Sequence, residues 1–462
     1  MPRAWIVIGL GFGDEGKGSV VDHLVRRDGA RCVVRFNGGA QARHHVVAGA
    51  AVHGFSQFGA GTLAGARTLL SRYMLVEPLA LCGEARDLAA LGVPDPFARI
   101  TISAAAPIIT QANILANRAI EAARGPARHG SCGLGIGLTQ GDAETLGEEA
   151  LRAGDLARPA VLREKLALNL RRRLDDIAGC RSLSGLPHQS YPSDRTAPAG
   201  RSPAASANAG DASAGLLARL EGLDLADLAA FYGEFAARVR IVPDGEILHA
   251  VAHEDTVFEG AQGVLLDQRH GFFPHVTRSN TTFENADALL AEAGFAGERV
   301  RIGLLRPYST RHGAGPLPTE TSGLSVPPCH NGENAWQGAF RVGWFDAVAA
   351  RYALAAAGGV GVLGITGLDR LAGLPSLVVC TAYRASAELP DGVIPPAADR
   401  QASLRRTAAL FAAQPVYAAV AALASCVPAD LWRFADAIGE LVRHPVGLIS
   451  ARPDAEKLWR AG

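Results

Sequence analysis

The stretch Gly11-Phe12-Gly13-Asp14-Glu15-Gly16-Lys17-Gly18-Ser19 decides the fold of this chain, and it directly follows the apolar run Ala4 to Leu10. The residues after it, Val20 to Val25, are typical of the first turns of a helix. A strand, a glycine-rich turn and a helix together form a phosphate cradle, because glycine lets backbone N–H groups surround an anion and the helix N-terminus adds partial positive charge. Lys17 would place a point charge on the distal phosphates.

This loop departs from the common nucleotide-binding pattern at two positions. Gly11, Gly16 and Lys17 have the spacing of a P-loop, but Gly18 stands where a Ser or Thr binds magnesium. Asp14 is the second departure, since a carboxylate repels phosphates unless a metal or the chemistry requires it. The pattern therefore favours a P-loop-like phosphate site unlike that of an ordinary ATPase or GTPase. The alternative is a plain glycine turn between a strand and a helix.

Composition excludes several classes of protein. The chain has 462 residues, 45 basic and 45 acidic side chains, a net charge of zero and 48% hydrophobic residues. This balance excludes a polybasic nucleic-acid binder and a disordered protein. The seven cysteines form no CxxC pair, which disfavours a disulfide framework or a zinc ribbon. No run approaches the ~20 apolar residues of a membrane span, and the N-terminal apolar run is short for a signal peptide. We expect a cytoplasmic protein that binds neither membrane nor nucleic acid.

Short β-branched runs alternate with stretches of helical character. The predicted strands are Trp5–Leu10, Cys32–Phe36, Thr256–Phe258, Val300–Leu305, Gly361–Thr366, Leu377–Ala382 and Val446–Ile449. The predicted helices are Glu84–Leu91, Ile114–Arg124, Ala214–Arg238 and Phe345–Ala357. This alternation predicts an α/β fold with a mostly parallel central sheet and helices on both faces.

One segment lacks apolar periodicity. Ser190 to Gly215 is rich in Ser, Ala, Pro and Gly, which predicts a flexible surface insertion. The residues on its two sides, 1–189 and 216–462, have similar composition and are predicted to form one catalytic domain. A boundary between two domains is the alternative.

Further motifs follow one another along the chain. They are Arg35-Phe36-Asn37-Gly38-Gly39 with His44, Glu259-Gly260-Ala261-Gln262-Gly263, Leu265-Leu266-Asp267, His270-Gly271, Val276-Thr277, Ser279-Asn280-Thr281-Thr282, Thr310-Arg311-His312-Gly313-Ala314-Gly315-Pro316, Pro318-Thr319-Glu320, Gly343-Trp344-Phe345-Asp346, Thr366-Gly367-Leu368-Asp369 and Ser450-Ala451-Arg452-Pro453. With the N-terminal loop, these motifs resemble the adenylosuccinate synthetase family, in which the corresponding stretches read close to GDEGKGK, GGNNAGHTVV, EGAQG and TKLD. The resemblance extends over the chain except for the predicted insertion.

The resemblance implies a ligase that joins L-aspartate to inosine monophosphate, with GTP as co-substrate and Mg²⁺ as cofactor. In that family oxygen 6 of the purine is first phosphorylated, and the amine then displaces the phosphate. A cytoplasmic homodimer is also implied.

The same resemblance assigns roles to residues of this chain. Asp14 corresponds to the general base and a magnesium ligand, His44 to the general acid, and Lys17 to the residue that holds the GTP phosphates. The GTP-binding set is Gly13, Glu15, Gly16, Lys17, Gly18, Ser19, Arg43, His45, Asp369 and Ser450. The nucleotide-substrate set is Gln41, Ser131, Cys132, Gln262 and Thr277. His312 and Arg341 fall in the amino-acid pocket, and the backbone carbonyl of Arg43 is a second magnesium ligand.

The chain departs from the family mainly on the acceptor side. The tract before Gly343-Trp344 is rich in arginine in the family, whereas here only Arg341 is kept. Gly367 replaces the lysine of TKLD, although Asp369 is kept. A bidentate arginine–carboxylate pair has no equivalent in Gly, Ala or Phe. Three interpretations stay open: a divergent adenylosuccinate synthetase, a paralogue that uses a different amine or nucleotide, and a non-catalytic nucleotide-binding homologue.

Overall fold

The computed structural model describes residues 1–125, 128–183, 209–324, 326, 336–374, 376–452 and 456–460. Within these ranges the strands are β1 (Arg3–Gly9), β2 (Cys32–Arg35), β3 (His44–Ala48), β4 (Ala51–Phe55), β5 (Arg67–Leu70), β6 (Ile100–Ser103), β7 (Arg240–Val242), β8 (Thr256–Gly263), β9 (Glu298–Leu305), β10 (Tyr308–His312), β11 (Phe340–Asp346), β12 (Val362–Thr366), β13 (Leu377–Tyr383), β14 (Pro415–Val420), β15 (Val446–Ser450) and β16 (Leu458–Trp459). The helices are α1 (Lys17–Asp28), α2 (Pro78–Ala90), α3 (Gln111–Ala123), α4 (Ile136–Thr145), α5 (Pro159–Leu183), α6 (Ala209–Glu221), α7 (Leu225–Arg238), α8 (Asp244–His253), α9 (Glu284–Glu292), α10 (Ala347–Ala356), α11 (Arg400–Phe411) and α12 (Pro428–Val442).

The main sheet has the strand order β16-β15-β12-β9-β1-β8-β2-β5-β6-β7. Its neighbouring strands pair in parallel, except for the antiparallel edge strand β16. The chain therefore has the predicted mostly parallel sheet. The carboxyl ends of its parallel strands lie along one edge, which is where open α/β sheets place their ligands.

Both faces of the main sheet are covered. Along β1, Ala4, Ile6 and Ile8 pack into one hydrophobic cluster, whereas Trp5 and Val7 pack into another on the opposite face. Successive side chains of a strand point to opposite faces, so this division places packed elements on both sides. The continuous apolar run of β1 is thereby explained, and the prediction of helices on both faces is confirmed.

The second sheet was only partly foreseen. It has the order β10-β11-β13-β14, and β13 pairs in parallel with β11 but antiparallel with β14. The predicted strand Leu377–Ala382 belongs to this smaller sheet and not to the main one. A two-stranded antiparallel ribbon, β3 with β4, carries His44 at its start.

Two predicted helices need correction. The stretch Ala214–Arg238 contains parts of two helices, because α6 ends at Glu221 and α7 begins at Leu225. The Asp224 side chain caps α7 and accepts hydrogen bonds from the N–H groups of Ala226 and Asp227. Phe345 and Asp346 belong to β11, and the Asp346 carboxylate caps α10. In both places an aspartate at the N-cap sets the helix start.

The predicted insertion lies mostly outside the described residues. Its last part, from Ala209, is already in α6, where the buried Ser213 hydroxyl donates to Ala119 O at 3.2 Å. Helical structure therefore resumes before residue 216. The six cysteines in the described ranges are all free thiols, and Cys329 lies outside those ranges. No helix in the described part of the chain is long and apolar enough to cross a membrane.

Candidate active site

The Glu15 side chain stabilises the glycine-rich loop between β1 and α1. The Glu15 carboxylate accepts the Gly13 N–H at 2.8 Å and forms an ion pair with Lys17 Nζ at 3.3 Å. Lys17 Nζ also donates to Gly13 O at 2.9 Å. Lys17 is 1% exposed, and its ammonium group is bonded to residues of the same loop. Its charge is therefore fixed within the loop and does not lie in solvent.

The start of α1 has the geometry of an anion site. Gly16 is the N-cap, with φ 72° and ψ 30°, a conformation that favours glycine, and no side chain caps the helix. The Ser19 hydroxyl donates to Gly16 O at 3.0 Å. A Cβ at Gly18 would lie 2.7 Å from the Cβ of His44. Glycine at position 18 thus lets His44 approach the first turn, and this accounts for the missing Ser or Thr.

The carboxylate of Glu259, which is not among the predicted site residues, holds His44 in place. Its Nδ1 donates to Glu259 Oε1 at 2.6 Å, and the other carboxylate oxygen accepts the Ala60 N–H at 2.9 Å. Both side chains are buried, and Arg35 is the register partner of Glu259 on β2. This pairing directs Nε2 of His44 away from Glu259. Glu259 lies within the quoted motif Glu259–Gly263, but the motif carries no signal for a contact 215 residues away.

Charges around this pair set its protonation. Burial lowers the pKa of His44 to about 4, although Glu259 and its hydrogen bond act in the opposite direction. Burial would raise the pKa of Glu259, but His44 and Arg35 outweigh it, so the pKa is lowered. We conclude that the carboxylate is ionised and the imidazole neutral near pH 7. A negatively charged phosphate at Nε2 would raise the pKa of His44 and favour the imidazolium.

Asp14 lies among charged groups at the tip of the loop. Burial raises the pKa of Asp14, with His312 the largest opposing influence, followed among the cations by Lys17 and Arg306. Arg306 Nε donates to the backbone oxygen of Asp14 at 2.7 Å. A carboxylate whose pKa is raised toward neutrality is a better proton acceptor in a reaction at pH 7. The structure thus places Asp14, Lys17 and His312 within one electrostatic environment.

Two amide side chains converge beside the loop. A Cβ at Gly38 would lie 3.4 Å from Gln262 Oε1 and 3.6 Å from Gln41 Nε2. Among the described residues, neither polar atom of the Gln41 amide nor Oε1 of Gln262 has a hydrogen-bond partner, although all three atoms are buried. Gln262 also has φ 58°, which is rare for a residue with a side chain. Buried orphan polar atoms and a strained backbone are typical of a ligand site.

Close backbone contact joins these amides to the phosphate loop. A Cβ at Gly263 would lie 2.3 Å from Gly11 O, and a Cβ at Gly13 would lie 3.1 Å from Gln262 Cα. Such approaches exclude any side chain at positions 263 and 13. The glycines therefore bring the end of β8 against the end of β1, so residues predicted for the two subsites lie next to each other.

Asp369 and Ser450 lie at the ends of adjacent strands β12 and β15. Asp369 follows Gly367, which has φ 71°, and its Oδ1 is buried without a hydrogen-bond partner in the described chain. Burial raises the pKa of Asp369, while Arg370 and then Arg306 oppose this rise. The Ser450 hydroxyl donates to Arg452 O at 3.1 Å. The orphan oxygen suits a ligand that donates hydrogen bonds.

Ser131 and Cys132 of the predicted nucleotide-substrate set lie in a loop that is hydrogen-bonded to α3. Ser131 Oγ and the Asn117 amide exchange hydrogen bonds at 3.0 and 3.2 Å. Burial raises the pKa of Cys132 to about 11, so its thiol is neutral and does not repel an anion. Thr277 lies in the loop after β8, where its N–H donates to Leu266 O at 2.8 Å.

The amino-acid pocket differs from expectation at Arg341. Its Nη1 pairs with Glu320 at 2.7 Å, while Nε and Nη2 donate to the backbone oxygens of Gly313 and Gly315 at 3.0 and 2.6 Å. The guanidinium is thus engaged by the loop that follows β10. His312, the register partner of Phe340, packs on that ring with centroids 4.7 Å apart. Its buried Nδ1 has no hydrogen-bond partner in the described residues.

The remaining residues of the predicted set lie near the start of β3. His45 follows His44 and points to the opposite face of the ribbon, with its Nε2 3.3 Å from where a Cβ at Gly54 would be. Arg43 has an exposed side chain, and its carbonyl directly precedes His44. Magnesium accepts one or two protein oxygens together with phosphate and water oxygens. Asp14 and this carbonyl fit such a partial donor set, and no group of three or more potential ligands exists in the described chain.

A glycine-rich phosphate cradle, an oriented histidine and orphan polar atoms at the carboxyl edge of a parallel sheet define an enzyme that acts on nucleotides. The family model for adenylosuccinate synthetase matches residues 6–184 and 206–459, interrupted at the predicted insertion. The adenylosuccinate synthetase of Neisseria meningitidis serogroup A / serotype 4A is 30% identical over 482 aligned positions, covering 99% of this chain and 98% of the relative. That of Neisseria gonorrhoeae strain ATCC 700825 / FA 1090 has the same identity and coverage. The chain belongs to the adenylosuccinate synthetase family, whose members are carbon–nitrogen ligases.

Solved structures support the fold. The fully ligated adenylosuccinate synthetase from Plasmodium falciparum superposes with a TM-score of 0.75 at 18% identity, and covers 99% of both chains. The cyanophage S-2L succinoaminodeoxyadenylate synthetase, bound to dGMP and to dATP as an energy donor, gives a TM-score of 0.50 at 14% identity, with 99% and 95% coverage. These likenesses confirm the α/β architecture.

Proposed function

We propose that this chain joins L-aspartate to inosine monophosphate with GTP, forming adenylosuccinate, GDP and phosphate. The observation that carries the proposal is the oriented pair of His44 and Glu259 beside the loop that contains Asp14. A protein that only binds a nucleotide needs neither a positioned imidazole nor a carboxylate inside its phosphate loop. This argument disfavours a non-catalytic homologue.

The proposed first step transfers a phosphoryl group. Asp14 accepts the proton from purine N1, so oxygen 6 gains anionic character and attacks the γ-phosphorus of GTP, and GDP leaves. Lys17 and the N-terminus of α1 stabilise charge on the phosphates. His44 presents Nε2 to the transferred group, with its tautomer fixed by Glu259. Magnesium, held by Asp14 and the carbonyl of Arg43, would neutralise phosphate charge when bound.

The proposed second step forms the carbon–nitrogen bond. The amine of aspartate attacks carbon 6, the bond from carbon 6 to oxygen breaks, and the proton that the amine loses passes to the departing phosphate, which leaves as hydrogen phosphate. His44 as imidazolium stabilises the departing phosphate oxygen. Gln41 and Gln262 supply the unsatisfied amide atoms that suit the purine and its ribose phosphate. Asp369 accepts hydrogen bonds from N1 and N2 of guanine. Adenine lacks these donors, so this contact selects GTP over ATP. We also propose a homodimer.

A different amine is the second candidate function. Gly338 and Phe340 offer no charge to a carboxylate, and the Arg341 guanidinium is already bonded to Glu320 and two backbone oxygens. His312 packs on the ring of Phe340, and its buried Nδ1 has no hydrogen-bond partner in the described residues. These contacts favour an amine with fewer carboxylates than aspartate.

One experiment tests both candidates. Phosphate release is measured with GTP, inosine monophosphate and magnesium, using aspartate or a panel of amines with one or no carboxylate. Saturable turnover with aspartate supports the first candidate. Turnover only with another amine replaces it with the second, and GTP binding without release for any acceptor contradicts both.

A further inference from the structure

Arg306 directly follows β9 and lies between the phosphate loop and the turn that carries Gly367. Its Nε donates to Asp14 O at 2.7 Å, which is its one hydrogen bond within the described part of the chain. A Cβ at Gly16 would lie 3.6 Å from Nη2 of Arg306. The half-buried guanidinium thus has both terminal nitrogens available to a ligand in the cleft.

The same guanidinium fills the space next to Gly367. A Cβ at Gly367 would lie 2.0 Å from Nη1 of Arg306 and 3.1 Å from Cζ. Arg306 therefore occupies the volume in which a side chain at position 367 would begin. The resembled family carries lysine at that position. Glycine at 367 suits the present position of Arg306, since a side chain there would require the guanidinium to move and would have to adopt φ 71°.

Three residues surround the Arg306 guanidinium. Gly16 opens the helix that holds phosphates, Gly367 forms the turn, and Asp369 presents its orphan oxygen two residues later. Arg306 is close enough to Asp369 to oppose the rise in the pKa of Asp369 that burial causes. A planar guanidinium between Gly16, Gly367 and Asp369 is suited to stack on the guanine that is proposed to bind Asp369, because arginine stacks on flat π-systems.

We propose that Arg306 is a nucleotide-binding residue whose guanidinium stacks on the guanine of GTP in place of the lysine side chain that is missing at position 367. This inference rests on the proposed use of GTP, but not on the identity of the acceptor. It assigns base contact to the residue that directly follows β9.

Calorimetric titration of the full chain with GTP, without acceptor, tests the role of Arg306. Arg306→Ala should weaken GTP binding about ten-fold, as expected for loss of one cation–π stack, and Arg306→Lys should recover part of the loss. Inorganic tripolyphosphate should bind both variants as it binds the unaltered protein. Arg301→Ala is the matched control, because Arg301 lies on β9, which Arg306 directly follows, and pairs with Asp287 at 2.7 Å. Its GTP affinity should be unchanged.

A position exchange gives an independent check. Arg306→Ala combined with Gly367→Lys restores a cation at the base, so GTP affinity should exceed that of Arg306→Ala alone. Gly367→Lys alone should weaken GTP binding, since the two side chains compete for one volume.

Two results would overturn the inference. Unchanged GTP affinity in Arg306→Ala removes the contact, and an equal loss for GTP and tripolyphosphate assigns Arg306 to the phosphates. If the unaltered protein binds GTP but turns over no acceptor, the proposed reaction fails, whereas a GTP-specific loss in Arg306→Ala would still support this inference.

Discussion

Glu259→Gln tests whether the buried carboxylate controls the tautomer of His44. Each carboxylate oxygen has a donor partner, His44 Nδ1 at 2.6 Å and the Ala60 N–H at 2.9 Å. Glutamine offers only one acceptor oxygen. If that oxygen stays with Ala60, the amide N–H₂ faces Nδ1, which must then be the unprotonated nitrogen. The imidazole can then no longer become the imidazolium that stabilises the departing phosphate oxygen.

The expected loss in turnover is about 10²- to 10⁴-fold, the range set by loss of general acid–base catalysis and of the correct tautomer. This corresponds to about 3–6 kcal/mol at about 1.4 kcal/mol for each ten-fold change in rate. If glutamine instead keeps its oxygen on His44, the Ala60 N–H loses its acceptor, which costs about 1–3 kcal/mol of folding free energy. Removal of the negative charge also takes away the influence that raises the pKa of His44.

The assay is phosphate release from GTP with the acceptor that supports turnover, recorded from pH 5 to 9 and accompanied by urea denaturation. Glu84→Gln is the control, since this buried carboxylate accepts the N–H groups of Ser56, Gln57 and Phe58 on the same loop. Both variants should lose stability, but only Glu259→Gln should lose turnover and change the pH profile. Turnover of Glu259→Gln within about three-fold of the unaltered protein would refute a positioning role.

Three further predictions follow from the same geometry. Asp14→Asn should abolish phosphoryl transfer while GTP still binds, and measurable release at the normal rate would remove Asp14 from the chemistry. Gly263→Ala should reduce GTP affinity at least about ten-fold because its Cβ would lie 2.3 Å from Gly11 O, whereas Gly137→Ala, which meets no atom within 4 Å, should bind GTP normally. Because burial lowers the pKa of His44 from 6.5 to about 4, the unfolded chain binds this proton first as pH falls. The stability that the neutral imidazole contributes is therefore present above pH 6.5 and is lost toward pH 4, about 3 kcal/mol in urea denaturation, and His44→Asn should lack this part of the loss.

The central sheet could be predicted because its strands are buried on both faces. Apolar runs such as Trp5–Ile8 and Cys32–Val34 mark such strands without any long-range information. In the smaller sheet, only Leu377–Ala382 in β13 gave a comparable signal. Strand β14 is largely exposed, and β11 carries Arg341 and Gly343 between apolar residues, so neither forms a continuous apolar run. The order of the strands and their pairing depend on contacts between distant segments.

Local sequence also predicts the chemical groups of the candidate site. The loop from Gly11 to Ser19 predicts a phosphate cradle through glycine spacing and one lysine, and these are properties of neighbouring residues. The contacts that these groups make in the folded chain could not be predicted in this way. Arg341 lies in the predicted pocket but is bonded to Glu320 and to backbone oxygens, which its sequence position does not reveal.

By itself, the sequence determined which groups carry charge and where glycine permits a tight turn, because these follow from residue type and spacing along the chain. The tertiary structure alone decided how the groups act on one another. Glu259 orients His44 from 215 residues away, and Arg306 occupies the space left open by Gly367. The physical reason is that hydrogen bonds, pKa shifts and steric exclusion depend on distances of a few ångströms in space, which only the packing of β1, β8, β9 and β12 brings about.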